Sequence, residues 1–132
     1  MRFTLTTKEK LKSRKLIEVL FAEGKSVKAF PIRMVYHPID HYCEESPLQV
    51  GFVVPKRGFK LAVDRNHLKR LMREGYRLNK PYFTDKIGQR YIVMFVFMGN
   101  KQLTAAQIHT KMKSLLEKFT SSIAPEFHED DL

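Results

Sequence analysis

The chain has 132 residues, 43% of them hydrophobic, enough for one domain around a single core. A formal net charge of +10 and a pI near 9.8 favour polyanionic partners, nucleic acid or an anionic membrane surface. One cysteine, Cys43, excludes an internal disulfide, and the longest apolar run, residues 91–98, is too short to cross a bilayer. No apolar stretch of signal-peptide length opens the sequence, so a reducing cytoplasm is the expected location.

Thr6 and Glu9 match a capping box, Ser13 offers a second N-cap, and Leu16, Ile17, Leu20 and Phe21 recur at helical spacing before Gly24. The spacing predicts a first helix at about 13–23. Residues 30–37 and 48–54 are rich in β-branched and aromatic side chains, and read as two strands joined by a polar loop containing residues 40–47. A strongly periodic helix follows over 62–79. Residues 90–98, RYIVMFVFM, show little alternation, as expected of a central strand covered on both faces. Thr104 is a good N-cap for a last helix reaching Phe119, with Ile108, Met112, Leu115, Leu116 and Phe119 on one side. The predicted class is α+β: a two-layer sandwich in αββαβα order, with a small central sheet and a strand–helix–strand crossover carrying the basic helix. Residues 1–125 form the single domain, and the acidic end 126–132 is expected to be a disordered tail.

Charge is concentrated in residues 56–80, KRGFKLAVDRNHLKRLMREGYRLNK, where nine cations face only Asp64 and Glu74. On a wheel of about 100° per residue, Arg65, Asn66, Lys69, Arg70, Arg73, Arg77 and Lys80 share an arc of about 140°. Leu68, Leu71, Met72, Gly75 and Leu78 fall opposite. Ordinary solvated faces mix signs, because like-charge pairs four residues apart cost ~0.2–0.5 kcal/mol each. A face that keeps Arg65, Lys69, Arg73 and Arg77 in one line is suited to an external polyanion.

Residues 62–74, AVDRNHLKRLMRE, and the preceding Val50–Arg57, VGFVVPKR, resemble the RNR signature and upstream strand of the bacterial ribonuclease P protein subunit. The resemblance extends from about Leu11 to Phe119. It implies the small protein subunit of a ribonucleoprotein endoribonuclease that hydrolytically removes the 5′ leader of precursor tRNA. In that family the RNA subunit is the catalyst, so the resemblance implies that this chain supplies no catalytic residue. Implied contacts to that RNA are Lys56, Arg57, Lys60, Arg65, Asn66, His67, Lys69, Arg70, Arg73 and Arg77. His67 stands where the family usually carries a second arginine. Implied leader-cleft residues are Ile17 and Phe21 from the first helix, with Tyr36 and Phe52 from the sheet; Ile17 replaces a common aromatic.

These residue types suit the task. Arginine grips phosphate through a planar fork, and a single strand of variable sequence needs a basic groove with aromatic platforms. For Phe21, Tyr36 and Phe52, plain core packing is the competing reading. The resemblance implies Mg²⁺ held mainly by the RNA and substrate, precursor tRNA and the RNA subunit as partners, no membrane and no obligate protein partner. His37, His41, Cys43, Glu44 and Glu45 are metal-type ligands lacking a matching second half, and read as a surface loop. A stand-alone nuclease would want clustered carboxylates for two metal ions, and none is apparent. Charge alone leaves a ribosomal or DNA-binding protein open; the RNR wording decides against it.

Overall fold

A computed structural model describes residues 14–39, 48–83 and 90–123; the side chains of residues 82 and 83 are not described. The capping box at Thr6–Glu9, the Ser13 cap, the loop with His41 and Cys43, and the acidic tail lie outside the described residues. The elements are α1 (Arg14–Glu23), β1 (Lys25–Ala29), β2 (Ile32–Ile39), β3 (Leu48–Val53), α2 (Ala62–Phe83), β4 (Arg90–Phe97) and α3 (Ala105–Ile123). The α+β class stands, with one strand more than the predicted αββαβα order.

That extra strand is β1, the sequence KSVKA. It is a short edge strand whose two lysines and serine face solvent. Edges blunted by lysine avoid pairing with other chains, and such strands carry little hydrophobic signal. It pairs antiparallel with β2 from Lys25↔Tyr36 to Ala29↔Ile32, across a two-residue turn of Phe30 and Pro31. The strand expected at 30–37 therefore starts two residues later.

The sheet order is β1-β2-β4-β3. The strands β2 and β3, consecutive in the chain, are not neighbours in the sheet. β4 lies between them, antiparallel to β2 and parallel to β3. Its position explains its composition. Val93, Phe95 and Phe97 join a large core with α2 and α3, while Ile92 and Met94 join a smaller one with Leu20 of α1. Because strand side chains alternate, each strand has one set facing α2 and α3 and one facing α1. The predicted two-layer sandwich thus gains a partial third layer, α1, on the opposite face.

Local chemistry fixes the ends. Thr104 and Gln107 form a capping box at α3: the Thr104 N–H donates to Gln107 Oε1 at 2.9 Å, and the Gln107 N–H donates to Thr104 Oγ1 at 3.2 Å. α1 stops at Gly24 because the chain turns tightly onto β2 there. A Cβ on Gly24 would lie 2.3 Å from the Leu20 carbonyl oxygen and 2.9 Å from Val35 Cγ1. α2 runs past the predicted end at Asn79, through the buried Pro81, to Phe83.

Candidate nucleic-acid interface

Helix α2 docks through Leu68, Leu71, Met72 and Tyr76, all buried in the large core. Gly75 permits close approach to α3, since a Cβ there would sit 2.9 Å from Met112 Cγ. Two wheel assignments fail near the end of the helix. Leu78, expected to be buried, is exposed, and Lys80, expected on the cationic arc, is only 7% exposed. Lys80 stands one turn beyond the buried Tyr76 and beside the buried Pro81, while Leu78 lies between the half-buried Arg77 and Asn79.

The remaining cations sort by exposure. Asn66, His67, Arg70 and Arg73 are exposed; Arg65, Lys69 and Arg77 are half-buried. Lys56, Arg57 and Lys60 are exposed on the loop that enters the helix. Among the described residues no carboxylate forms an ion pair with any of these side chains. Among the described residues these arc and loop cations are thus left un-neutralised.

Arg65 is directed differently from its neighbours. Its NH1 donates to the carbonyl oxygens of Phe59 and Lys60, both at 2.8 Å. Phe59 is itself buried against Phe97, with ring centroids 5.7 Å apart. One guanidinium therefore clamps the basic loop onto the start of α2. Sequence reasoning grouped Arg65 with the outward cations; the wheel angle, at the inner edge of the arc, was the available signal.

The four residues expected in one cleft do not share a face. Ile17 is half-buried and Phe21 is 51% exposed on α1, which packs over β2 and β4 with Val35, Ile92 and Met94. Tyr36 points to the other side of the sheet. It is 7% exposed and packs edge-to-face on Phe119 at 4.8 Å and Tyr91 at 6.1 Å. Phe52 also faces α2, stacked on Phe95 at 5.5 Å, with the Arg73 guanidinium carbon 5.8 Å from its ring centroid. Grouping Tyr36 and Phe52 with α1 is corrected by strand alternation: a shift of one residue moves a side chain to the opposite face. Val35 and Val53 occupy the α1 face instead.

That face also carries two arginines the sequence reading passed over. Arg33 and Arg90 alternate in step with Val35 and Ile92, and pair across the ladder with Val96 and Ile39. Both are half-buried, and the Nε of each has no hydrogen-bond partner among the described residues. Lys28, opposite Arg33 on β1, shares the face. The α1 side is thus a surface with an exposed aromatic, apolar walls and three cations, Lys28, Arg33 and Arg90, that pair with no carboxylate among the described residues; the Glu23 carboxylate on it lies 4.0 Å from His37 Nε2. Among the described residues no three His, Cys, Asp or Glu side chains converge, and no helix is long and apolar enough to cross a membrane.

The family profile described as "Ribonuclease P" matches residues 5–120. The chain belongs to the ribonuclease P protein family. It is 41% identical over 91 residues to the ribonuclease P protein component of Porphyromonas gingivalis, covering 68% of this chain and 65% of that protein. The alignment with the Chlorobaculum tepidum component is 27% identical and covers 91% of this chain and 85% of that one. The fold is similar to the ribonuclease P protein of Staphylococcus aureus, with TM-score 0.66, 21% identity, and coverage of 84% of this chain and 94% of that one. The Thermotoga maritima protein gives TM-score 0.62 at 23% identity, covering 83% and 96%. Within this family the RNR wording at residues 65–67 reads Arg-Asn-His, and the structure puts Asn66 and His67 at the exposed start of α2.

Proposed function

We propose that the chain is the protein subunit of ribonuclease P, acting with an RNA subunit to remove the 5′ leader of precursor tRNA. The α2 face around Asn66, Arg70 and Arg73, with the loop cations Lys56, Arg57 and Lys60, binds the RNA subunit. The α1 face, with Ile17, Phe21, Arg33 and Arg90, holds the leader. The observation that carries this reading is the exposed cationic face of α2, whose Asn66, Arg70 and Arg73 meet no carboxylate among the described residues, within a chain that matches the family over most of its length. Phosphate contacts made from such a face fix position without reading sequence, as a structured RNA partner requires.

Chemically, the protein's part is electrostatic and positional. Its cations screen phosphate–phosphate repulsion between the RNA subunit and substrate, so that the complex works at lower Mg²⁺. Mg²⁺, held by RNA phosphates and substrate rather than by this chain, would supply the activation of water and the stabilisation of the leaving oxygen. On the α1 face, Phe21 offers a π-surface that any base can stack upon, and the arginines accept the leader's phosphates.

Reconstitution tests the whole reading. The purified chain is assayed alone, with RNA recovered by pulling the protein from its own cells, and with both plus precursor tRNA. A single cut at the mature 5′ end, only when protein and RNA are combined at low Mg²⁺, is the expected result. Cleavage by the protein alone, or no dependence on it, refutes the proposal.

A further inference from the structure

At the end of the sheet near the basic loop lies a cavity of about 550 Å³, within the ~300–1,000 Å³ typical of small-molecule sites. It opens between the β1–β2 turn, the segment after β4 and the first turns of α3. Among the described residues Phe30 is its only aromatic lining residue, and it is 69% exposed, an unusual exposure for a phenylalanine. Leu103 supplies apolar wall, Asn100 and Gln107 supply amides, and Lys101 and Lys111 supply charge; no carboxylate lines it among the described residues. The Gln107 carbonyl oxygen is committed to the Thr104 N–H, which leaves its amide nitrogen as the group for a ligand.

One wall of the cavity, Gly99, packs against the loop that Arg65 clamps. A Cβ on Gly58 would lie 2.7 Å from the Gly99 carbonyl oxygen, and one on Gly99 would lie 3.0 Å from Pro31 Cβ. Loop 55–61, the segment after β4 and the β1–β2 turn are therefore packed in series. Lys56, Arg57 and Lys60 stand on the loop that backs the Gly99 wall of the cavity.

We propose that this cavity takes one unpaired nucleotide of the bound RNA. The base stacks on Phe30, its edge meets the amides of Asn100 and Gln107, and its phosphate is held by Lys101 and Lys111. An aromatic platform with amides and only positive charge matches a nucleotide, since bases combine a π-face with donor and acceptor edges. The proposal rests on the reading of α2 and its loop as the RNA-binding surface. The nucleotide's source, RNA subunit or precursor tRNA, is settled by the test.

The photo-crosslinker p-benzoylphenylalanine is placed at position 30 and, separately, at Val63, which is exposed at the start of α2. Each full chain is irradiated with the RNA subunit alone, then with precursor tRNA added. Crosslinking from position 30 to one nucleotide is expected: on the RNA subunit in both mixtures, or on precursor tRNA in the second only. Crosslinks from position 63 with none from position 30, or scatter over many nucleotides, overturn the cavity proposal and leave the α2 reading intact. Absence of crosslinks from both sinks both. In parallel, Phe30→Ala is expected to weaken affinity for the source RNA by about 5- to 150-fold, with Phe30→Tyr restoring it and the unfolding midpoint unchanged. Wild-type affinity in Phe30→Ala overturns the proposal.

Discussion

The clamp formed by Arg65 separates two ways in which a cation can serve RNA binding. Arg65→Ala removes two hydrogen bonds of 2.8 Å, one to a part-buried carbonyl and one to an exposed one. A hydrogen bond from a charged donor is worth ~1.5–3 kcal/mol where water is excluded; with water near both carbonyls, the pair is worth about 1–2 kcal/mol. That energy holds Lys56, Arg57 and Lys60 in register with α2. Its loss lowers the population of the ordered loop, so affinity falls by at most about 5- to 30-fold.

The salt dependence should barely change, because the guanidinium bonds carbonyls rather than phosphate. Arg70→Ala should behave in the opposite way, losing affinity while its log–log salt slope falls by roughly 0.7–0.9. The assay is filter binding of the RNA subunit across a salt series, with Lys113→Ala on the exposed side of α3 as the control that changes neither quantity. If Arg65→Ala flattens the slope as much as Arg70→Ala, the guanidinium reaches phosphate in the complex and the clamp argument is wrong.

Tyr36→Ala should cost ~3–5 kcal/mol in urea unfolding, as for other buried aromatics, whereas Phe21→Leu should fold normally and lose most of the preference for precursor tRNA with a several-nucleotide leader over a single-nucleotide one. A folded Phe21→Leu that retains this preference removes Phe21 from the leader site. Gly24→Ala forces a Cβ against the Leu20 carbonyl and should cost ~1–3 kcal/mol, read as a lower thermal midpoint; an unchanged midpoint means that α1 shifts freely on the sheet. His67→Arg should strengthen RNA binding slightly and steepen its log–log salt slope by roughly 0.7–0.9, as one added phosphate contact would. An unchanged affinity and slope place residue 67 away from phosphate.

Much of the fold was legible because it obeys simple periods. The buried face of α3 is the set expected from helical spacing, and β4 is covered on both sides as its unbroken apolar run implies. The failures have local causes. β1 escaped notice because an edge strand of KSVKA buries almost nothing. The pairing of β2 with β4 rather than β3 is a long-range choice that no short window records. In the candidate site, the cationic face of α2 was readable, but the inward turn of Arg65 was not, since it depends on carbonyls of a loop without regular structure. Tyr36 was misplaced because its strand is apolar at consecutive positions, Met34, Val35 and Tyr36 all being buried, which erases the alternation that would show its face.

That double burial has a functional consequence on the proposed reading. One sheet separates the surface for the RNA subunit from the surface for the leader, and β4 contributes alternate side chains to the cores beneath both. Close-packed cores transmit displacement rather than absorb it, so the two surfaces are held at a fixed offset. Both surfaces draw on β3, one of the two edge strands of the described sheet. There Phe52 turns toward α2 beneath Arg73, while its neighbour Val53 turns toward α1. RNA that passes from one surface to the other by this edge runs beside both side chains. A rigid offset of this kind suits a subunit that supplies no catalytic group: it can favour cleavage by fixing where the leader leaves the catalytic RNA.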